Sequence, residues 1–184
     1  PPLPNDNFIN AEPVQAFNTI IEGTNIAATI EPGEPDHDGR ASHSVWYKFT
    51  APGDMGFQIK IGESDFSAVL GVYTGNSMDS LSLVGIDEWG EDVFFRASSD
   101  VEYFIVVDNR YEGGDTGPFE LSVIPFDPPA NDSFSDAIEM ITDGTITQGS
   151  NKAASFEPGE PDYWSDGSHS VWWKFTVPSW CNRI

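Results

Sequence analysis

The chain has 184 residues and a formal net charge of −22, with 30 Asp and Glu residues against 8 Lys and Arg residues. Hydrophobic residues make up 39% and aromatic residues 13% of the sequence; a disordered acidic tail would lack them, so we expect a folded protein with an acidic surface. Such a surface repels phosphates, which excludes nucleic acids and anionic membranes as expected partners, and no apolar run approaches the roughly 20 residues of a transmembrane helix. The single cysteine, Cys181, cannot form an internal disulfide.

The predicted elements, taken in chain order, are one short helical segment and then a series of β-strands. A helical turn or two is predicted within residues 7–17, capped by Asn7, and a copy of it within residues 133–140, capped by Ser133. Apolar and polar residues alternate in the strands, and Gly, Asn, Asp and Ser clusters separate them. The eight predicted strands cover residues 24–30, 44–50, 57–61, 67–73, 81–86, 93–97, 101–107 and 119–123. Many short strands with such turn signals predict an all-β fold, an antiparallel β-sandwich.

The sequence repeats itself with a period of 126 residues. The segment EPGEPD at residues 31–36 returns at 157–162, and SHSVWYKFT at residues 42–50 returns at 168–176 with one change. No gap is needed between residues 5 and 52. The predicted organisation is a complete unit at 5–126, a Pro-rich linker at 127–130 and a partial second unit at 131–184.

Five motifs of the complete unit occur in an order that is known from one family. They are NDNF at 5–8, EPGEP at 31–35, SVWYKFTAP at 44–52, VYTG at 72–75 and YFIVVD at 103–108. In these motifs the chain resembles the bacterial pre-peptidase C-terminal-like domain. The resemblance implies a jelly-roll-like β-sandwich on a secreted protein, often in tandem and often beside proteases or adhesive modules. It thereby implies an extracellular or cell-surface location and a non-catalytic role.

Carboxylates in two loops predict bound calcium, which takes about 6 to 8 oxygen ligands in a flexible geometry. One loop is stiffened by proline and glycine and recurs in the second copy, and a Gly-rich loop lies at residues 108–115. The predicted ligands are Asp6, Glu31, Glu34, Asp36 and Asp38 in the first copy, Asp132, Glu157, Glu160 and Asp162 in the second, and Asp108 and Asp115 in the Gly-rich loop. The alternative interpretation is that these are solvated turns whose acids confer solubility.

No catalytic site is predicted. His43 is repeated, but a zinc site needs three or four converging ligands, and the only histidine besides this repeated pair is His37. A Ser-His-Asp set can be drawn from Ser42 or Ser44, His43 and Asp38. It is unfavourable, because neighbouring residues of a strand point to opposite faces. We therefore expect a structural role for the imidazole, at the start of the strand, and a protein that is not an enzyme.

Aromatic residues permit a carbohydrate-binding role, because their flat faces can stack on pyranose rings. The candidates are Trp46, Trp89, Tyr163, Trp164, Trp172 and Trp173. Trp46 and Trp172 recur within a strand, and we expect them to fill the core between the two sheets. Tyr163 and Trp164 lie in the repeated loop and are better placed to contact a partner.

The second unit matches roughly the first two-fifths of the complete one, so we expect it to expose strand edges and apolar side chains. Val171, Trp173 and Phe175 are predicted to contact a partner. Three completions stay open: strand addition to a neighbouring copy in an open filament, completion by a different protein, or a place in a longer array of such units.

We favour the first or the third completion, both of which describe an extracellular structural assembly. Its partners would be other copies of the chain in a homo-polymer, and calcium would stabilise it by neutralising the repulsion between acidic surfaces. The alternative function is a secreted carbohydrate-binding, adhesive or protease-accessory module, with polysaccharide as its partner.

Overall fold

A computed structural model of the chain describes residues 3–37, 42–90, 92–111, 113–141, 143–152, 154, 160 and 169–177. The chain divides into two compact units, unit 1 over residues 1–126 and unit 2 over residues 127–184. None of the helical segments within the described ranges has the length and apolar character to cross a membrane.

Unit 1 is a sandwich of two β-sheets. Its strands are β1 (Glu12–Pro13), β2 (Ile20–Thr24), β3 (Val45–Thr50), β4 (Met55–Ser64), β5 (Ala68–Thr74), β6 (Ser82–Asp87), β7 (Asp92–Ala97), β8 (Glu102–Asn109) and β9 (Pro118–Phe126). One sheet has the order β1-β3-β8-β5-β6 and the other the order β2-β9-β4-β7. All pairs are antiparallel except that of β1 with β3. The order β3-β8-β5-β6 facing β2-β9-β4-β7 is that of a jelly roll, which confirms the predicted fold class.

The core of unit 1 lies between the two sheets and follows from the alternation of its strands. Val45, Tyr47 and Phe49 of β3 face inward, and Phe57 and Ile59 of β4 meet them from the other sheet. Because successive side chains of a strand point to opposite faces, each strand contributes every second residue to this core.

Trp46 lies in a second, smaller apolar cluster on the outer face of the five-stranded sheet. It is fully buried, but the expectation that it fills the core between the sheets is wrong. Its neighbours Val45 and Tyr47 point inward, so Trp46 must point outward. Phe8 covers it with an edge-to-face contact, with the ring centroids 5.3 Å apart.

Two predicted elements differ in the structure. The first strand covers Ile20–Thr24, and residues 25–30 form no strand but contain a turn at 26–27, in which Ala27 has a φ of 65°. A single 3-10 turn, Phe8–Asn10, replaces the predicted helical segment, and the side chain of Asn7 donates or accepts no capping hydrogen bond. The segment ends early because β1 follows it directly and pairs with β3.

Unit 2 contains the parallel strand pair β10 (Ile138–Glu139) and β11 (Trp173–Lys174). A 3-10 turn, Phe134–Asp136, stands where the second helical segment was predicted, and Ser133 makes no side-chain capping bond to it.

One pair of hydrogen bonds recurs in both units at the offset of 126 residues. In unit 1 the Asn5 carbonyl accepts from Trp46 N at 2.9 Å, and Asn5 Nδ2 donates to the Trp46 carbonyl at 3.2 Å. In unit 2, Asn131 makes both bonds to Trp172, each at 2.8 Å. The repeated sequence thus adopts the same local arrangement at both places.

Candidate functional site

The acidic loop that follows β2 uses its carboxylates as acceptors for hydrogen bonds from the protein itself. Glu31 Oε2 accepts from Phe8 N at 2.5 Å, and Glu34 Oε2 accepts from Glu31 N at 2.9 Å. Asp6 accepts from the main-chain nitrogen and the hydroxyl of Thr29, at 2.6 and 3.0 Å. Three predicted calcium ligands therefore hold the loop in place through backbone donors.

His37 lies buried beneath this loop, with 1% of its surface exposed. Its Nδ1 is 2.9 Å from the Tyr73 hydroxyl and its Nε2 is 3.3 Å from Glu34 Oε1. Burial, with a smaller contribution from Glu34, raises the pKa of Tyr73 to about 12, so its hydroxyl keeps its proton at neutral pH. Both ring nitrogens of the buried His37 therefore have a polar partner within hydrogen-bond distance.

The two ligands predicted in the Gly-rich loop lie in different surroundings, because Asp108 belongs to β8 and only Asp115 lies in the loop that follows this strand. Asp108 is fully buried and its Oδ1 accepts from the main-chain nitrogens of His43 and Asn109, at 2.8 and 2.7 Å. A third bond comes from Ser42 N, 3.2 Å from Oδ2. Desolvation by burial raises the pKa of Asp108, and these hydrogen bonds oppose that shift. Asp115 is exposed to solvent.

The remaining predicted ligands do not form a group in the described part of the chain. Asp36 is exposed, Asp132 is buried, and Glu160 accepts hydrogen bonds from Ser170 Oγ at 2.7 and 2.8 Å. Within the described ranges no three His, Cys, Asp or Glu side chains come together as a metal-binding group. The calcium site stays a prediction. Three of its residues lie outside the described ranges: Asp38, Glu157 and Asp162.

The Ser42 and His43 side chains meet, with Ser42 Oγ 2.9 Å from His43 Nδ1. The argument that these side chains must diverge is wrong, because both residues precede the first residue of β3 and the alternation of a strand does not apply to them. Ser42 Oγ donates its proton to Asn109 Oδ1 at 2.7 Å. The imidazole nitrogen therefore acts as the donor to Oγ, which is the reverse of what activation of a serine nucleophile requires.

The strand β11 has an open side. Its counterpart β3 lies between β1 and β8 and pairs with β8 over six residue positions, whereas β11 has only β10 beside it among the described residues. The carbonyl oxygens of Trp172 and Lys174 accept hydrogen bonds from the β10 side, at 3.1 and 2.7 Å. By the alternation of a strand, the main-chain groups of Trp173 face the open side, and Val171 and Phe175 lie just outside the two ends of β11.

The side chains of Val171, Trp173 and Phe175 are also more exposed than their counterparts in unit 1. Phe175 is 62% exposed, whereas Phe49 at the matching position is 5% exposed. Val171 and Trp173 are half-buried, and their counterparts are fully buried. The three residues predicted to contact a partner thus lie in or directly beside β11, which has no second neighbouring strand among the described residues.

The aromatic candidates for carbohydrate contact are placed very differently. Trp46 has no exposed surface, while Trp172 and Trp173 are half-buried. Trp89 is 70% exposed and lines a groove of about 900 Å³ in unit 1. Tyr163 and Trp164 lie outside the described residues.

Two interactions were not predicted from the sequence although the structure shows them at these sites. Arg110 lies against Trp89, with its guanidinium carbon 3.4 Å from the indole centroid. His37 closes a hydrogen-bonded chain to Tyr73. In both cases the partners are far apart in sequence and no motif spacing connects them, so only the pairing of strands brings them together.

Comparison with known proteins finds no matching family model and no matching curated protein. Among solved structures, Aeromonas hydrophila PliG, a periplasmic lysozyme inhibitor of g-type lysozyme, is similar with a TM-score of 0.45 and 18% identity, over 63% of this chain and 96% of that chain. The pre-peptidase C-terminal domain of collagenase from Bacillus anthracis is similar with a TM-score of 0.42 and 20% identity, over 61% and 93%. At these TM-scores neither likeness assigns the chain to a family.

Proposed function

We propose that this protein is a non-catalytic structural protein of the cell surface or extracellular space, whose copies join head to tail by strand addition at the open side of β11. One observation carries the proposal: β11 has a single neighbouring strand among the described residues, where β3 has two. An antiparallel strand added there would take the place that β8 has in unit 1. The location rests on the resemblance of the sequence motifs to a family of secreted proteins.

Strand addition would satisfy both the polar and the apolar groups of this edge. Unpaired N–H and C=O groups along an edge strand recruit another strand through main-chain hydrogen bonds, and side-chain contacts then select the partner. Burying an exposed phenylalanine such as Phe175 contributes about 1.5–3 kcal/mol. The edge therefore offers one hydrophobic anchor together with backbone pairing.

The strand that we propose as the partner is β6 of a second copy. The five-stranded sheet of unit 1 has two outer strands, and β1 has only two residues, one of them Pro13. β6 has six residues, pairs with β5 alone in its sheet, and exposes 54% of Leu83. Joining β11 of one copy to β6 of the next is a heterologous contact, which leads to an open polymer.

Sedimentation velocity and negative-stain microscopy of the purified chain test this assembly. We expect polymers for the unaltered chain and monomers for Phe175→Lys and for Leu83→Lys, since each lysine places a charge in the joint. Each substitution makes the chain less negative, so added repulsion cannot account for lost assembly. Ile146→Lys is the matched control, because Ile146 is 86% exposed in unit 2 and lies outside β10 and β11; it should leave the polymers intact.

A monodisperse monomer at all concentrations, with and without calcium, would overturn the assembly proposal. Polymers that survive both Phe175→Lys and Leu83→Lys would show that copies join through a different surface. If polymers are lost in Phe175→Lys but kept in Leu83→Lys, β11 takes part in the joint between copies and β6 does not.

Calcium belongs to the proposal as the ion that reduces repulsion between chains of charge −22. We expect polymers in buffer with calcium and their dissociation after chelation, with calorimetric titration of chelator-treated protein reporting binding. The absence of heat, together with polymers that persist in chelator, would remove calcium from the proposal and leave strand addition standing.

A further inference from the structure

A groove in unit 1 runs along the outer face of the four-stranded sheet and reaches one end of the sandwich. Its floor is formed by β4 and β9, which contribute Lys60, Glu120 and Ser122. Its rim is formed by the loops that join β4 to β5, β6 to β7 and β8 to β9, and Trp89 and Tyr111 stand on this rim. The groove belongs to unit 1, and the open side of β11 belongs to unit 2.

The rim carries a flat aromatic surface that faces solvent. Trp89 is 70% and Tyr111 50% exposed. The Arg110 guanidinium carbon lies 3.4 Å from the centroid of the Trp89 ring and 5.7 Å from that of Tyr111. The guanidinium covers one face of the indole, and the high exposure of Trp89 leaves the opposite face available to a ligand.

The backbone around Trp89 holds this surface in a fixed position. Trp89 N donates to Asp87 Oδ1 at 2.7 Å, and Arg110 N donates to the Ser67 carbonyl at 2.8 Å. Gly90 has a φ of +66°, and a Cβ on it would lie 2.6 Å from a main-chain oxygen of β5, so only glycine fits this turn. A surface that is ordered before binding loses little conformational entropy when a ligand arrives.

The polar lining beside this surface narrows the class of ligand. Glu63, Asp92 and Glu120 supply acceptors, while Lys60 and Arg110 supply donors. Acids outnumber bases here and in the whole chain, which disfavours sulfated or uronate polymers. The floor strand β4 is paired on both sides, with β9 and β7, so its backbone is not available to an extended peptide.

We propose that this groove binds an uncharged polysaccharide, with a pyranose ring stacked on the open face of Trp89. The carboxylates and the two basic side chains of the lining bind its hydroxyl groups. Concave sites that pair an aromatic face with a few fixed polar groups are the usual form of such binding sites. This site is independent of the proposed assembly, because none of its residues lies in β6, β10 or β11.

The test is retention of the full chain on insoluble uncharged polysaccharides, namely cellulose, chitin, curdlan and starch, with alginate and heparin beads as polyanion controls. We expect retention on at least one uncharged polymer and none on the polyanions. Trp89→Ala should weaken it at least about 30-fold, the loss typical of a central tryptophan, and Trp89→Phe should weaken it less. Ile9→Ala is the matched control, since Ile9 is 79% exposed and lies outside the groove.

Several outcomes would overturn the proposal: no retention on any uncharged polymer, equal retention of Trp89→Ala and the unaltered chain, or retention on the polyanions alone. Capture of peptides from an array through Trp89, without retention on polysaccharide, would assign the groove to peptides and also overturn it. A thermal melting curve shows whether Trp89→Ala is folded. We expect it to be, because the exposed Trp89 side chain can be removed with little loss of stability. Phe175→Lys should bind polysaccharide like the unaltered chain, so retention in this assay does not depend on whether the copies assemble.

Discussion

Phe8 of unit 1 and Phe134 of unit 2 occupy the same place in the same 3-10 turn. Each meets a tryptophan edge-on, with ring centroids 5.3 and 4.9 Å apart and an interplanar angle of 89° in both cases. Phe8 is 6% exposed, however, and Phe134 is 65% exposed. The difference comes from β8, because Phe8 also packs on Phe104 of that strand at 4.4 Å. The repeated motif sets the turn and the contact with tryptophan, while burial depends on strands far along the chain.

The largest expected difference between the units is at their tryptophans. Trp46 is fully buried against Phe8, His37 and Tyr73, so Trp46→Ala should lower the free energy of unfolding of unit 1 by about 3–5 kcal/mol. Trp172 is half-buried, and Trp172→Ala should leave unit 1 unchanged. Denaturant unfolding, with hydrogen exchange of peptides from each unit, measures both effects.

A milder substitution serves as the control for this comparison. The indole N–H of Trp46 is buried without a hydrogen-bond partner among the described residues, so Trp46→Phe removes volume but no hydrogen bond and should cost less than Trp46→Ala. If Trp172→Ala destabilised unit 1 as much as Trp46→Ala, the two units would not be independent.

The second largest expected difference between the units is the loss of stability at alkaline pH. Burial raises the pKa of Tyr47 to about 12, whereas an unfolded tyrosine ionises near 10. The unfolded state therefore loses its proton first, so the stability that Tyr47 contributes is present below about pH 10 and is lost as the pH rises through about 12. A pKa difference of about two units corresponds to up to roughly 3 kcal/mol. Unit 2 has Trp173 at this position, which does not ionise.

Denaturant unfolding at a series of alkaline pH values, with phenolate absorbance, measures this loss. Tyr47→Phe keeps the ring and removes the proton, so unit 1 should lose stability less steeply with pH in this variant. The remaining dependence belongs in part to Tyr73, whose pKa burial also raises to about 12. An unchanged pH profile in Tyr47→Phe would contradict the assignment.

The smallest expected difference concerns a matched pair of glycines. A Cβ on Gly23 would meet the Tyr47 hydroxyl and lie 2.5 Å from Phe119 Cζ, and a Cβ on Gly149 would lie 2.5 Å from Trp173 Cζ2. Gly23→Ala should cost unit 1 about 1–3 kcal/mol, because the buried rings cannot move away. Gly149→Ala should cost less than about 1 kcal/mol, because the half-buried Trp173 can shift. Equal costs, measured by denaturant unfolding, would mean that Trp173 is held as firmly as Tyr47.

The sequence predicted most of the strands because their periodicity is local. Val45, Tyr47 and Phe49 recur at every second position, and this period of two indicates a β-strand. The first strand was misplaced because the segment at 24–30 carries β-branched residues but turns at Ala27, which a propensity pattern does not reveal. The outer position of Trp46 was missed because a second apolar cluster covers the outer face of its sheet.

The candidate sites were predicted less well, since they depend on residues that meet only in the folded chain. Acidic residues such as Glu31 and Asp108 stood out in the sequence, but their hydrogen bonds to Phe8 N and His43 N join segments that are 23 and 65 residues apart in the chain. The pairing of Trp89 with Arg110 likewise requires two loops to lie at the same end of the strands.

The sequence by itself determined the repeat of 126 residues, the all-β class and the acidic surface, because these depend on composition and on patterns shared by near neighbours. Only the tertiary structure decided which tryptophan is buried and which is exposed, which strand keeps an open side, and which carboxylates are used by backbone donors. These features depend on contacts between segments far apart in the chain. Local patterns do not encode such contacts, since each side chain is buried or exposed according to the strand that lies beside it.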